Sequence, residues 1–218
     1  MNTFRIALAA GTALGLAAIS PAFADVTFTT GNQQYTNVNM DAQTGSTASG
    51  QIGSTGPSVT FENMVSGVVD DTIHAGNGVA FIQNNDTTAG FSSVDMVAQS
   101  GTGWTAGDFK LDLLNSVTCP SAGCFVSFTT LEADGSTKIS KLLIKDNGQS
   151  PYQFTTSLGE IVTMITFGTE DPTLLADIKQ VSLQATNVVP LPGALPLFAT
   201  GLAGLGMLNW RRKRKAAA

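Results

Sequence analysis

The chain has 218 residues and a formal net charge of −5 at pH 7, a figure that hides a division between its parts. Residues 25–187 hold all sixteen acidic residues against five lysines and no arginine, a net charge of −11. Such a body has no positive surface to neutralise phosphates or anionic lipid headgroups, which excludes nucleic-acid binding and electrostatic attachment to membranes.

The N-terminus opens with Arg5 and an apolar run over residues 6–19, too short for a comfortable membrane span. Pro21 breaks that helix, and Ala22-Phe23-Ala24 places small residues at Ala22 and Ala24, the pattern of a signal-cleavage site. The expectation is a secretory signal helix over residues 1–24, cleaved between Ala24 and Asp25, with an uncleaved anchor as the alternative. Residues 25–187 are then the exported body, long enough for one domain with its own core.

Within the body, Thr, Ser, Gly and Asn supply 67 of 163 residues, a composition that favours strands and turns. Residues 26–30 open as a strand. Residues 33–56 are polar, with few apolar anchors beyond Tyr35, Val38, Met40 and Ile52, and read as a weak strand pair or a loose loop. Strands follow over 58–65, 79–83, 91–98 and 108–115, the last with Phe109, Leu111 and Leu113 on one face. Segments 125–131 and 137–144 flank Asp134-Gly135, a hairpin-turn signal. After a second turn at Asp146-Asn147-Gly148 come strands at 152–156 and 161–167. The latter is apolar at nearly every position and reads as a central strand buried on both faces. Asp171-Pro172 could cap a short helix. Residues 178–185 close the body, with Val181, Leu183 and Ala185 alternating against Ser182 and Gln184. Nine to eleven strands and no long amphipathic helix predict an all-β fold, an antiparallel β-sandwich of jelly-roll type.

Cys119 and Cys124 are the only cysteines. In an exported chain they are expected to form a disulfide that staples a hairpin tip. Four residues separate them, whereas a redox Cys-x-x-Cys has two, and no further ligands nearby suggest a metal. His74 is the only histidine. A Ser-His-Asp triad would need it, with Asp70 and Asp71 close in sequence, but no Gly-x-Ser-x-Gly elbow is present. Glu62, Glu132, Glu160 and Glu170 offer carboxylates for glycoside hydrolysis, as any acidic β-domain would. An aromatic platform for sugars would rest on Trp104, Tyr35 and Tyr152. Calcium is the one candidate cofactor, through Asp70-Asp71, Asn84-Asn85-Asp86 and Asp146-Asn147; none matches an EF-hand or a repeat-type calcium loop. No catalytic constellation and no metal-ligand set emerge, and the body reads as non-enzymatic.

The tail is more explicit. Val189, Pro190, Leu191, Pro192 and Gly193 lead into an uncharged stretch over residues 191–210, of which the last three are the start. As a helix that stretch would span about 30 Å, but only about 22 Å if the helix begins at Pro196. Arg211, Arg212, Lys213, Arg214 and Lys215 follow. Such a run stays cytoplasmic, which puts the body outside. An ordinary C-terminal anchor would share this layout. The proline motif, apolar segment and basic terminus together resemble the VPLPA variant of the PEP-CTERM sorting domain, with Gly193 where that variant has Ala. The resemblance covers residues 188–215 or so. It implies recognition by an exosortase, a membrane-bound cysteine transpeptidase-like enzyme of Gram-negative bacteria. It also implies cleavage near the prolines and transfer from an inner-membrane intermediate to the cell surface or extracellular matrix. The expected function is a surface or matrix protein with a structural or adhesive role. A glycan- or exopolysaccharide-binding module is the alternative, and a surface hydrolase a third reading.

Overall fold

The computed structural model describes residues 25–66, 72–86, 90–114, 119, 123–145, 148–169 and 174–188. The expected signal segment with Ala22 and Ala24, the expected sorting motif with Pro190 and Pro192, the apolar segment and the basic run all lie outside the described residues. So do Asp70, Asp71, Asp146, Asn147, Glu170, Asp171 and Pro172.

Fifteen strands make up the fold, and no helix occurs among the described residues. They begin with β1 (Val26–Thr30), β2 (Thr36–Met40), β3 (Gln43–Gly45), β4 (Ala48–Ile52) and β5 (Ser58–Ser66). Next come β6 (Ile73–Ala75), β7 (Gly78–Val79), β8 (Phe81–Asn84), β9 (Phe91–Ala98) and β10 (Thr102–Leu113). The last five are β11 (Cys124–Glu132), β12 (Thr137–Ile144), β13 (Ser150–Thr156), β14 (Val162–Thr169) and β15 (Leu175–Asn187). The polar stretch after Gln33 thus forms three short strands rather than a loop. The strand expected at 108–115 starts earlier, at Thr102.

Every pairing is antiparallel, and one sheet closes on itself as a barrel. The ring runs β10, β14, β9, β5, β4, β2, β15 and back to β10. Its narrowest join is the Trp104–Val162 pair of β10 and β14. Gly103 makes that join possible, because a Cβ there would sit 2.6 Å from the carbonyl oxygen of Val162. Beyond the ring, β13 and β1 extend from β10, while β11 and β12 extend from β14. The outer strands β1 and β12 approach each other, and Lys138 of β12 forms an ion pair with Asp25 just ahead of β1.

The core follows from strand alternation. Along β11, Cys124, Val126, Phe128, Thr130 and Glu132 are buried and the residues between them half-exposed. Phe28, Phe109, Phe128, Tyr152, Phe154 and Phe167 meet inside. The Phe28 and Phe128 rings stack at 4.6 Å, and Phe109 meets Phe167 edge-on at 4.8 Å. Phe28 on β1 and Phe128 on β11 belong to strands that share no ladder, so their contact ties separate walls together, whereas Phe109 and Phe167 lie on the neighbouring strands β10 and β14. Strand β14 is central, between β11 and β9. It is buried on one face only: Val162, Ile165 and Phe167 point in, while Thr163, Met164 and Thr166 are half-exposed. The expected two-faced burial fails because no second layer covers the outside of this wall.

The Asp134-Gly135 turn joins β11 to β12 as expected. Gly135 has φ +87° and its N–H donates to the Glu132 carbonyl at 3.0 Å, the glycine-requiring geometry of a short hairpin loop. Cys119 and Cys124 are disulfide-bonded, with Cα atoms 5.0 Å apart. The bridge lies in the connection from β10 to the first residue of β11 rather than at a hairpin tip, because those two strands do not pair with each other.

Candidate functional site

Two polar constellations stand out among the described residues. The first crosses the outer surface of the barrel. Ladder register places Thr29, Gln153, Asp108, Ser182 and Asn37 side by side on β1, β13, β10, β15 and β2. Each alternates with inward apolar neighbours such as Phe28, Phe109 and Leu183, so strand periodicity forces it outward. Residues 31–35 pass over this row, held by the Gly31 N–H donating to the Pro151 carbonyl at 3.1 Å. Beneath them, Gln153 donates through Nε2 to Thr29 Oγ1 at 3.1 Å, and its Oε1 is buried with no hydrogen-bond partner.

This covering segment makes a cavity of about 350 Å³, lined by Asn32, Gln34, Tyr35, Asn37, Val79, Asp108, Gln180 and Ser182. Asp108 is only 5% exposed. Ser182 Oγ donates to its carboxylate and in turn accepts from the Tyr35 N–H at 3.1 Å. Burial pushes the Asp108 carboxyl above the usual carboxylate range, against the pull of Ser182, the Tyr35 backbone and Lys110. Burial, and then the Asp108 charge, push the Tyr35 phenol up as well.

Gln180 reaches the cavity through a backbone irregularity. The β10–β15 register shifts between Asp108 and Lys110: Asp108 faces Ser182, whereas Lys110 faces Lys179. Gln180 and Val181 therefore occupy the space opposite one residue, a β-bulge. Gln180 has φ +53°, a left-handed conformation costing about 1–2 kcal/mol for a residue with a Cβ. Its N–H donates to the Ala80 carbonyl at 2.8 Å, which holds the strained turn in place.

A second, larger cavity of about 570 Å³ adjoins along β2. Asn39, Asp41, Gln51 and Asn77 line it, together with the backbone of Gly50 and Gly78. Asn39 donates through Nδ2 to the Gly53 carbonyl at 2.9 Å.

The second constellation sits at the β11–β12 turn. One carboxylate oxygen from each of Glu132, Asp134 and Glu160 lies within 4.8 Å of the others, and these are the described residues that could hold a hard cation. Burial, and then the charges of Glu132 and Asp134, push Glu160 above its ordinary value. Asp134 is held below its ordinary value by hydrogen bonds from the Ser136 hydroxyl and N–H, the latter at 2.8 Å. The one Ser136 hydroxyl proton is shared with Glu132, whose Oε2 lies 2.8 Å from Oγ. Glu132 and Glu160 were both candidates from sequence, but nothing in their spacing showed that they would meet.

The other candidates are dispersed. Trp104 is 1% exposed and Tyr152 is fully buried. The expected aromatic platform is therefore not assembled at the surface, and only Tyr35 lines a cavity. Tyr152 donates its hydroxyl to the Leu143 carbonyl at 2.7 Å, and burial pushes its pKa to about 12. His74 lies on β6, with Nδ1 3.1 Å from the Thr44 hydroxyl. Asn84 is buried, and its side-chain oxygen accepts from the Asp86 N–H at 3.0 Å.

Sequence reasoning missed Asp108 and Gln180. One signal was present: apolar residues in β15 fall at Ile178 and Val181, three apart, before resuming a spacing of two at Leu183. That break marks the bulge. Compared with protein-family models, curated proteins and solved structures, the chain matches none.

Proposed function

We propose that this chain is an exported cell-surface or extracellular-matrix protein with a non-catalytic, structural or adhesive role. The observation that carries the reading is the order of the tail: the proline motif at Val189–Pro192, then the uncharged segment, then Arg211 to Lys215. In this reading a signal peptide ending at Ala24 starts export, and the apolar segment holds the chain in the inner membrane of a Gram-negative cell. An exosortase-like enzyme then cuts near Pro190 and Pro192 and passes the body outward. The body supports the reading. It is an acidic antiparallel β-domain, which we interpret as sandwich-like and of jelly-roll type, and its cysteines are paired as an oxidising compartment favours.

The test is to fractionate cells expressing the full chain or a version ending at Asn187. The full chain is expected to pass through a membrane-bound intermediate and to lose its C-terminal peptide, while the short version goes directly to the soluble exported fraction. Identical partitioning, with the C-terminal peptide retained on the full chain, overturns the sorting account and leaves a plain anchor.

A second reading, binding of exopolysaccharide or another glycan, is favoured by the polar cavity around Asp108. Calcium at Asp70-Asp71, Asn84-Asn85-Asp86 or Asp146-Asn147 is a further proposal, and a melting temperature insensitive to excess calcium and to EDTA excludes it.

A further inference from the structure

We propose that the cavity between residues 31–35, β2, β10 and β15 is a saccharide site that takes a neutral sugar through adjacent hydroxyls. The adjoining outer face of β2 would carry the next units of a polymer. The inference rests on the glycan-binding reading and gives it a place and a ligand class.

The lining selects the ligand by elimination. No lysine or arginine lines the cavity, so nothing there compensates an anionic group, and the body's charge of −11 repels anionic polymers. Val79 is the one aliphatic side chain in the lining, which leaves little to hold an apolar ligand. A single carboxylate among neutral amides supplies little charge to hold a divalent cation. What remains is a set of amides, a phenol and a carboxylate, each matched to a hydroxyl that both donates and accepts. The volume of about 350 Å³ lies at the lower end of small-molecule sites, about 300–1,000 Å³.

Two features show that the cavity is built rather than incidental. Asp108 keeps an ionisable group almost wholly buried on the outward face of its strand, with one oxygen fixed by Ser182. Gln180 holds a left-handed backbone where glycine would be unstrained, and the bulge that imposes it places Gln180 on the cavity wall. Strain of this kind gathers at binding sites because it pre-sets a side chain. Continuity along β2 points to a polymer: Asn37 lines this cavity and Asn39 the next, two residues apart on one face and so roughly 7 Å along the strand.

The test uses the full chain in a detergent without a sugar headgroup. Affinity electrophoresis would be run through gels carrying galactomannan, dextran or xylan, with polygalacturonate as the acidic control. At least one neutral polysaccharide is expected to retard the protein, and polygalacturonate is not. Asp108→Asn should weaken that retardation about tenfold or more, as for a hydrogen bond lost at a buried polar group, and Gln180→Gly, which removes an exposed side chain on the cavity wall, should weaken it several-fold. Gln180→Gly should melt no lower than wild type, since it relieves the backbone; a purely structural Gln180 would make the variant less stable. If no neutral polysaccharide retards the wild type, both the site and the glycan reading fall. If retardation is strong and unchanged in both variants, the site falls while the glycan reading stands.

Discussion

The two ends of the ring are built on different principles. Around β1, β10, β11, β13 and β14, large rings pack together in the core: Phe128 alone meets Phe28, Phe109, Tyr152 and its ladder partner Phe167 at 4.6 to 6.0 Å. Around β2, β3, β4 and β7 the strands are two to five residues long, and the inward side chains are Val38, Met40, Ala48 and Ile52. Gly50 is needed there to admit the paired strand β2, since an added Cβ would lie 2.6 Å from Met40 Cγ and 2.7 Å from the Asn39 carbonyl oxygen. The outer face of this second region is amides and backbone, and both polar cavities open on it. A chain with few apolar residues to spend has concentrated them where they hold the walls together. The thin half is left to present polar groups on short strands.

That contrast can be broken in order of size. Phe128→Ala should cost about 3–5 kcal/mol, the range for deleting a buried aromatic ring, measured by chemical denaturation. A loss below about 1 kcal/mol would show that the aromatic half does not dominate the core. Replacing both Cys119 and Cys124 by serine should cost about 2 kcal/mol, as expected for so short a closed loop, and thermal melts under non-reducing conditions read it. Acidification should act the other way. Asp108, Asp177 and Glu160 are all held above their ordinary values, chiefly by burial. The stability they contribute is full below the ordinary carboxylate pKa and is lost as pH rises through their raised values. The melting temperature should therefore rise as the pH is lowered from neutral towards the ordinary carboxylate range. Below about pH 4 it should fall again, as groups such as Asp134, held low by Ser136, become protonated. A flat profile, or one that Asp108→Asn and Asp177→Asn leave unaltered, would remove the burial account. Smallest of all, Asn39→Ala on the thin half should change stability by no more than about 0.5 kcal/mol; a larger loss would make that face structural.

How legible each half was follows the same line. Strands β9 and β12, and the turn at Asp134-Gly135, were readable because alternation and turn chemistry are local signals. The first half of β10 was not: Thr102-Gly-Trp-Thr-Ala-Gly carries two glycines, and its strand character comes from pairing with β15. The inward sense of Trp104 and Tyr152 depends on register, and a shift of one residue reverses it; composition alone had suggested a surface platform. The cavity was least legible, since Tyr35, Asp108 and Gln180 are brought together by ladders between segments far apart in the sequence. Only the broken spacing at Ile178 and Val181 announced part of it.

The last strand has a mechanical meaning. Strand β15 is thirteen residues long, pairs with β10 along most of its length, and runs directly to Val188, where the tail departs. A tether pulling on that tail would load the β15–β10 ladder in shear, so its hydrogen bonds would share the force instead of parting one by one. Gln180 and Ser182 lie on the same strand, the former roughly 23 Å from Asn187 at the usual rise per residue. A polymer held there would pull on β15 together with its ladder partners β10 and β2, which also line the site, and β15 would carry that load on towards the C-terminal tail.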